Sequence, residues 1–154
     1  MTALQDVPVS VKDDAITLLC MTRVGSGVSR DVYACTLNPE KWVVKVETDA
    51  DGRFQNVAEH LVWEAAQYMN DLKRWFAPVV NISDMGRWLV MERTSPVTLE
   101  ELKRKVKQVP ACFTDLKPSN WGKIGTRYVC HDYGVNMVTE NGLNARLRKA
   151  EWWE

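Results

Sequence analysis

Apolar runs with strand-like composition dominate the first half of the chain. Lys41–Glu47 is rich in β-branched residues, and Lys45 falls between apolar neighbours within it. Phe76–Arg93 contains two further apolar runs separated by Asp84–Gly86, a sequence typical of a turn. These patterns predict a strand at Lys45, with its ammonium partly buried, and a hairpin at the turn.

Helical spacing replaces strand spacing in three other segments. One apolar stripe at helical spacing predicts a helix that contains Glu59 and Glu64; its members are Val57, Leu61, Ala65, Met69 and Leu72. A capping box at 98–101 predicts a second helix from 98 to 108, ended by the proline at 110. Helically spaced apolar residues predict a third helix from Asn141 to Glu151. Strands and helices together predict an α+β fold.

Composition indicates one globular domain. The chain has 154 residues, of which 45% are hydrophobic and 26% charged, as is ordinary for a soluble domain. No basic segment precedes an apolar core at the start, and no stretch approaches a membrane span, so we expect a cytoplasmic protein without membrane attachment. The four cysteines have no CxxC spacing, which argues against a zinc or redox site and indicates reduced thiols.

The basic run Lys103–Lys107 has two interpretations. It could contact nucleic acid, or it could be the solvated face of the predicted helix. Acidic residues precede the run and the formal net charge of the whole chain is +0. The solvated face is therefore favoured, and no specific nucleic-acid signal remains.

Residue types that bind phosphate and metal occur in four segments. Gly25 and Gly27 either let backbone amides approach a phosphate or mark a hairpin turn with positive φ. Lys45 is either a partly buried phosphate ligand or a lysine that reaches solvent. Asp115-Leu-Lys-Pro-Ser-Asn120 and Asp132-Tyr-Gly134 are either reactive segments or ordinary turns. Their joint occurrence, the last two a dozen residues apart, favours chemistry.

The order of these segments resembles the protein-kinase-like superfamily. The resemblance covers roughly residues 20 to 135 and is to a very short, minimal serine/threonine kinase-like protein of bacterial or bacteriophage type. It implies one kinase-like domain at 1–154 with a two-lobe fold. A strand-rich N-terminal lobe at 1–93 and a hinge at 94–97 would precede a much reduced helical C-terminal lobe at 98–154.

The resemblance also implies the residues that bind ATP. Gly25, Gly27 and Val32 would contact the nucleotide, with Val32 against the adenine ring. Lys45 would bind phosphates and pair with Glu59, with Glu64 as the alternative partner. The adenine edge would meet the backbone of three consecutive residues: Glu92, Arg93 and Thr94.

The later segments would carry the reaction. In the family, the aspartate that corresponds to Asp115 orients the attacking hydroxyl or accepts its proton, and the lysine that corresponds to Lys117 contacts the γ-phosphate. Asn120 and Asp132 would bind Mg²⁺, which prefers such oxygen ligands.

Several positions depart from the family pattern. Arg30 replaces the third glycine and could itself reach a phosphate as a fixed positive charge. Phe113-Thr114 replaces His-Arg, which implies no regulation by an activation-loop phosphate. The twenty residues after Gly134 leave no room for a substrate-binding lobe. The adjacent indoles of Trp152-Trp153 are expected to pack against the C-terminal half or a second subunit.

Two main functional hypotheses follow. The complete set of phosphate- and metal-binding residues favours a minimal Ser/Thr protein kinase that transfers the γ-phosphoryl group of Mg-ATP to a hydroxyl, with a small-molecule acceptor as the alternative. The missing third glycine and short C-terminal half favour a pseudokinase that acts as a nucleotide-binding or protein-interaction module. An unrelated α+β domain with chance matches is the third possibility. We expect a protein substrate or binding partner and a monomer or homodimer.

Overall fold

The computed structural model describes residues 16–27, 29–48, 54–134 and 142–154. Contacts along the chain divide the protein into two units. The first comprises the described residues of Met1–Val57 and Val79–Glu92, and the second comprises those of Ala58–Pro78 and Arg93–Glu154.

The first unit contains a five-stranded antiparallel sheet. Its strands are β1 (Cys20–Ser26), β2 (Arg30–Cys35), β3 (Trp42–Glu47), β4 (Val79–Ile82) and β5 (Trp88–Glu92), preceded by a 3-10 turn at Ile16–Leu18. They lie in the order β1-β2-β3-β5-β4. The predicted strand at Lys45 and the predicted hairpin are therefore confirmed, and the strand at Lys45 is the central one. The hairpin turns at Gly86, whose φ of 73° favours glycine.

Helix α1 (Gln55–Ala66) begins in the first unit and is joined to its sheet by the buried side chain of Asn56. The Asn56 amide donates to the carbonyl oxygens of Lys45 at 3.1 Å and Arg87 at 3.2 Å. Its Oδ1 atom accepts from the Arg30 guanidinium at 3.1 Å. The Asn56 backbone N–H donates to the Glu47 carboxylate at 2.7 Å. One residue therefore connects β2, β3 and the start of β5.

The buried face of α1 differs from the apolar stripe that predicted the helix. Leu61, a member of that stripe, is 61% exposed. The buried positions are instead Asn56, Glu59, Val62 and Ala66. Two of these four are polar, and buried polar groups are tolerated only when they are hydrogen bonded. Apolar spacing predicted the helix correctly as far as Ala66, but the chain then bends and Asn70–Lys73 form a separate short helix, α2.

The second unit contains the rest of α1, α2, helix α3 (Leu99–Lys105) and two small antiparallel sheets. One sheet pairs β6 (Gln108–Pro110) with β9 (Leu147–Lys149), and the other pairs β7 (Trp121–Ile124) with β8 (Arg127–Cys130). The Thr98 hydroxyl accepts from the backbone N–H of Glu101 at 3.1 Å, which confirms the cap. Helix α3 ends three residues earlier than predicted because Gln108 begins β6.

The helix predicted from Asn141 to Glu151 is wrong. Asn141 lies outside the described residues, and 142–154 contain the strand β9 and no helix. Backbone N–H groups of Ala111 and Ala150 donate to the carbonyls of Arg146 and Lys107, at 2.8 and 2.9 Å. Pairing with β6, which is distant in the sequence, satisfies the backbone hydrogen bonds of this segment. This pairing outweighs the local helical spacing of the segment's apolar residues.

The two terminal indoles have different environments. Trp152 is buried, its ring packs edge-on against Trp121 at 5.1 Å, and its Nε1 donates to the Val106 carbonyl at 2.9 Å. Trp153 is 50% exposed. The expected packing against the C-terminal half therefore holds for Trp152.

A strand-rich sheet and a few short helices agree with the predicted α+β class. The two-lobe arrangement and the boundaries 1–93, 94–97 and 98–154 stay predictions. Within the described ranges, every helix is too short or too polar to cross a membrane.

We predict that Asn56→Ala lowers the free energy of unfolding by roughly 2–4 kcal/mol, because it removes the buried hydrogen bonds that the amide makes to two carbonyls and a guanidinium. Urea denaturation measures the change. Asn81→Ala, at an exposed position of β4, is the matched control and should change stability by less than about 0.5 kcal/mol. A loss below about 1 kcal/mol for Asn56→Ala would contradict the role assigned to its amide.

Candidate active site

Strand register aligns three of the predicted nucleotide-binding residues across the sheet. Gly25 pairs with Val32, and Val32 pairs with Lys45. Paired residues in an antiparallel sheet project to the same face, and neighbouring strands are about 4.8 Å apart. Gly25 and Lys45 therefore lie on one face, about 10 Å apart across β2.

The fold does not require glycine at positions 25 and 27. Neither residue has a positive φ. A Cβ atom at Gly25 would come no nearer than 3.9 Å to the Val32 Cβ, and one at Gly27 no nearer than 3.9 Å to the Arg30 carbonyl oxygen. The interpretation of these glycines as a positive-φ hairpin turn is therefore wrong. What their small size provides is unobstructed space above the backbone.

Arg30, at the position of the missing third glycine, is hydrogen-bonded within the protein. Its side chain is buried, and its guanidinium donates to Asn56. It serves the junction between the sheet and α1. The expectation that Arg30 reaches a phosphate finds no support in this position.

Lys45 and the two candidate glutamates differ in burial. Lys45, in the middle of β3, is 4% exposed. Glu59 is fully buried in the second unit, whereas Glu64 is exposed. A buried charge needs a partner far more than an exposed one does. The Lys45–Glu59 pair joins residues of different units and stays a prediction.

The segment predicted to contact adenine begins at Glu92, the last residue of β5, and continues through Arg93 and Thr94. In the second unit, Ser95 and Lys123 exchange two backbone hydrogen bonds, at 2.8 and 2.9 Å. A Cβ atom at Gly122 would lie 2.4 Å from the Thr94 Oγ1 atom and 2.8 Å from the Ser95 carbonyl oxygen. Only glycine permits this approach of the segment to β7.

The end of the β7–β8 hairpin lies next to one of the predicted catalytic residues, Asp115, and next to the two predicted metal-binding residues. Trp121 of β7 pairs with Cys130 of β8. One step beyond this pair, the His131 backbone N–H donates to the Asn120 carbonyl at 2.9 Å, and Asp132 follows directly. The Asn120 Nδ2 atom donates to the Asp115 Oδ2 atom at 3.2 Å. The Asp115 side chain and the backbone that leads into Asp132 therefore both lie next to Asn120, at one end of this hairpin.

The side chains at this end suit a hard divalent cation such as Mg²⁺. Asp115 and Asp132 are exposed carboxylates. Because Asn120 directs Nδ2 toward Asp115, its Oδ1 atom is the one left to act as an oxygen ligand. The described part of the chain contains no cluster of three or more histidine, cysteine, aspartate or glutamate side chains suited to a metal. A cation here would depend on the amide oxygen and on oxygens of a bound phosphate or water.

His131, the residue before Asp132, anchors this part of the chain. Sequence reasoning did not include it in the site. Its Nε2 atom donates to the Ser119 carbonyl at 2.9 Å, since a carbonyl can only accept. In the neutral imidazole, its Nδ1 atom then accepts from the Thr94 hydroxyl, at 2.8 Å. One imidazole connects the segment at Thr94 to the loop that carries Asn120.

Tyr133, the residue after Asp132, anchors the chain on the other side of this aspartate. Its backbone N–H donates to the buried Glu59 carboxylate at 3.2 Å, and its hydroxyl donates to the Ala77 carbonyl at 2.7 Å. Its ring packs edge-on against Phe76, with centroids 4.9 Å apart. Asp132 therefore lies between two anchored residues. The only sequence signal for either anchor is its adjacency to Asp132.

Lys117, the predicted γ-phosphate ligand, is exposed, and its Nζ atom lies 5.9 Å from the centroid of the Trp153 ring. The lysine also borders an open depression of about 420 Å³. Glu100 and Ser119 contribute polar side chains to the same depression. The surface around this lysine can therefore contact a small polar group.

No protein-family model matches the sequence, and no curated protein matches it. Among solved structures, the chain is similar to APH(2'')-IIa in its ternary complex with streptomycin and ATP, with a TM-score of 0.43 and 19% sequence identity. The match covers 64% of this chain and 33% of that one, so it spans about a third of the other protein's length. A similarity of this size carries no inference about activity, substrate or family membership.

We predict that Tyr133→Phe lowers the free energy of unfolding by about 1–3 kcal/mol, because the buried Ala77 carbonyl loses its donor while the ring packing is kept. Urea denaturation again measures the change. Tyr68→Phe removes a hydroxyl from a residue that is 80% exposed and should leave the midpoint unchanged. Equal midpoints for Tyr133→Phe and wild type would contradict this anchor.

Proposed function

We propose that this protein is an ATP-dependent phosphotransferase of the protein-kinase-like type. The observation that supports the proposal most is that the Asp115 side chain and the backbone that leads into Asp132 both lie next to Asn120, at one end of the β7–β8 hairpin. Two carboxylates and an amide oxygen are the groups that metal-assisted phosphoryl transfer needs.

The first unit supplies the features proposed to bind the nucleotide. Gly25, Val32 and Lys45 share one face of the sheet, and the absence of side chains at the two glycines leaves space above their backbone. The Gly27 N–H itself donates to the Arg30 carbonyl at 2.8 Å, so the ammonium of Lys45 is the group proposed to bind phosphate oxygens. We assign Lys45 to the phosphates, Val32 to the adenine ring, and the backbone of Glu92–Thr94 to the adenine edge. The burial of Glu59 makes it the preferred partner for Lys45 over Glu64.

The second unit supplies the groups proposed for the reaction. Asp132 and Asn120 would hold a Mg²⁺ ion, which would neutralise phosphate charge, and Asp115 orients the acceptor hydroxyl and takes its proton. The acceptor oxygen bonds to the γ-phosphorus as the bond to the β-phosphate oxygen breaks, which leaves ADP and a phosphate ester. Lys117 stabilises the transferred group. We propose a serine or threonine hydroxyl of a protein as the acceptor, with a small-molecule hydroxyl as the alternative.

One contact favours the other candidate, a nucleotide-binding or protein-interaction module without transfer. The Lys117 ammonium lies over the Trp153 ring at 5.9 Å, an interaction that competes with phosphate for the same charge. A module of this kind would bind nucleotide and leave it intact. Activity measurements on variants of Asp115 and Asp132 distinguish the two candidates.

We predict that Mg-ATP at a hundred times its dissociation constant stabilises the protein by about 2.7 kcal/mol, which is roughly 5–10 °C in melting temperature. Lys45→Met should weaken binding by about 10–100-fold, since it removes a charge-assisted hydrogen bond. Lys41→Met, at an exposed position just before β3, is the matched control and should bind like wild type. Calorimetry and melting curves without any Mg-ATP effect would reject nucleotide binding.

We predict that Asp132→Asn and Asp115→Asn both lower phosphoryl transfer by at least about a hundredfold, but for different reasons. Asp132→Asn should also weaken Mg-ATP binding, because this carboxylate contacts the metal. Asp115→Asn should keep nearly full nucleotide affinity, because this carboxylate contacts the acceptor. Transfer is measured with γ-labelled ATP, by autophosphorylation and by labelling of added protein and small-molecule acceptors.

The same assay tests the alternative. Nucleotide binding by wild type, with labelling no greater than that of Asp132→Asn across these acceptors, would support the interaction module and reject the enzyme. Transfer by wild type together with unchanged transfer by Asp115→Asn would reject the role given to Asp115.

A further inference from the structure

Two of the four cysteines lie directly opposite each other in the first unit. Cys20 of β1 is the register partner of Cys35 of β2. The residues just outside this pair are hydrogen bonded, since the Thr36 backbone N–H donates to the Leu19 carbonyl at 2.8 Å. In an antiparallel ladder this bond makes Cys20 and Cys35 a non-hydrogen-bonded pair, the type with the closer Cα atoms, about 4.5 Å apart.

That separation lies within the range that a disulfide accepts, about 4.4–6.8 Å between Cα atoms. The side chains of a register pair also project to the same face. Cys35 is fully buried in a small cluster with Val44 and Val90, and Cys20 packs against this cluster. Burial and the neighbouring Cys35 raise the pKa of the Cys20 thiol, which agrees with two sulfur atoms at close range.

Cys20 is also the more accessible of the two thiols. It is half-buried, whereas Cys35, Cys112 and Cys130 are buried. Reaction with a dissolved oxidant therefore begins at Cys20, and the partner that resolves it is already in position. The sequence carries no motif for this site, because a pair that meets through strand register needs no fixed spacing.

We propose that Cys20 and Cys35 form a cross-strand dithiol that small disulfides such as glutathione disulfide oxidise to an intramolecular disulfide. The Cys20 thiolate attacks the oxidant and releases one thiol, which leaves a mixed disulfide on Cys20. The Cys35 thiol loses its proton and attacks the Cys20 sulfur, which releases the second thiol. Two protein thiols are oxidised, and one small disulfide is reduced to two thiols.

The proposed disulfide would constrain the strand at the edge of the sheet. Among the strands of the described ranges, β1 lies at the edge of the sheet and pairs with β2, and its register with β2 shifts at two points between Cys20 and Gly25. Gly25 lies near the opposite end of the same strand. A covalent bond at Cys20 therefore ties β1 to β2 at the end away from the glycines, and it makes detachment of this strand harder.

The test is incubation of the native full chain with glutathione disulfide at about pH 8, followed by intact mass, thiol titration and peptide mapping. We expect wild type to lose two of its four free thiols and about 2 Da, with a peptide link between Cys20 and Cys35 and a higher melting temperature than the reduced protein. Added dithiothreitol should reverse all of these changes.

Variants separate the two steps. Cys35→Ala should stop at a glutathione adduct of about 305 Da on Cys20, and Cys20→Ala should keep its remaining thiols. Cys112→Ala, at a buried cysteine of the second unit, is the matched control and should form the link as wild type does. A native wild-type protein that keeps all four thiols, or a link that involves Cys112 or Cys130, would overturn the proposal whether or not a variant folds.

Discussion

Hydrogen bonding of buried polar groups is the constraint on which the rest of this structure depends. An unpaired buried donor or acceptor costs about 1–3 kcal/mol, a large part of the net stability of a domain. Asn56 meets this constraint for three groups at once, on Arg30, Lys45 and Arg87. The strand that carries the proposed phosphate-binding lysine is thereby joined to the start of α1 through its own backbone. Asn56 is therefore a structural requirement of the proposed nucleotide site, although it need not contact a ligand.

The second unit satisfies the same constraint around Asp132. The buried groups are those that hold the loop: Glu59 accepts from the Tyr133 backbone, and the Tyr133 hydroxyl donates to Ala77. The groups proposed to react, Asp115 and Asp132, are exposed instead. A site whose supporting residues are buried and whose reactive side chains are exposed can orient those side chains and still reach a ligand. His131 extends the arrangement to Thr94, so the loop proposed to bind metal and the segment proposed to bind adenine share a support.

Strand register accounts for both proposals in the first unit. The same β1–β2 pairing that aligns Gly25 with Val32 also sets Cys20 opposite Cys35. Oxidation of the thiol pair would therefore act on the strand that carries the glycines, at its other end. The two proposals remain separable, because disulfide formation requires no nucleotide and nucleotide binding requires no oxidant.

The sequence by itself determined the strand at Lys45, the hairpin at Gly86, the start of α1 and the Thr98 cap, because local propensity and hydrogen bonding set each of them. It also identified Asp115, Asn120 and Asp132 as candidates through their order alone. Only the tertiary structure decided that α1 buries Asn56 and Glu59, that the segment at Leu147–Lys149 is a strand, and that His131 and Tyr133 anchor Asp132. Each of these depends on a hydrogen bond to a residue distant in the chain, and neither hydrophobic spacing nor local propensity records such a partner.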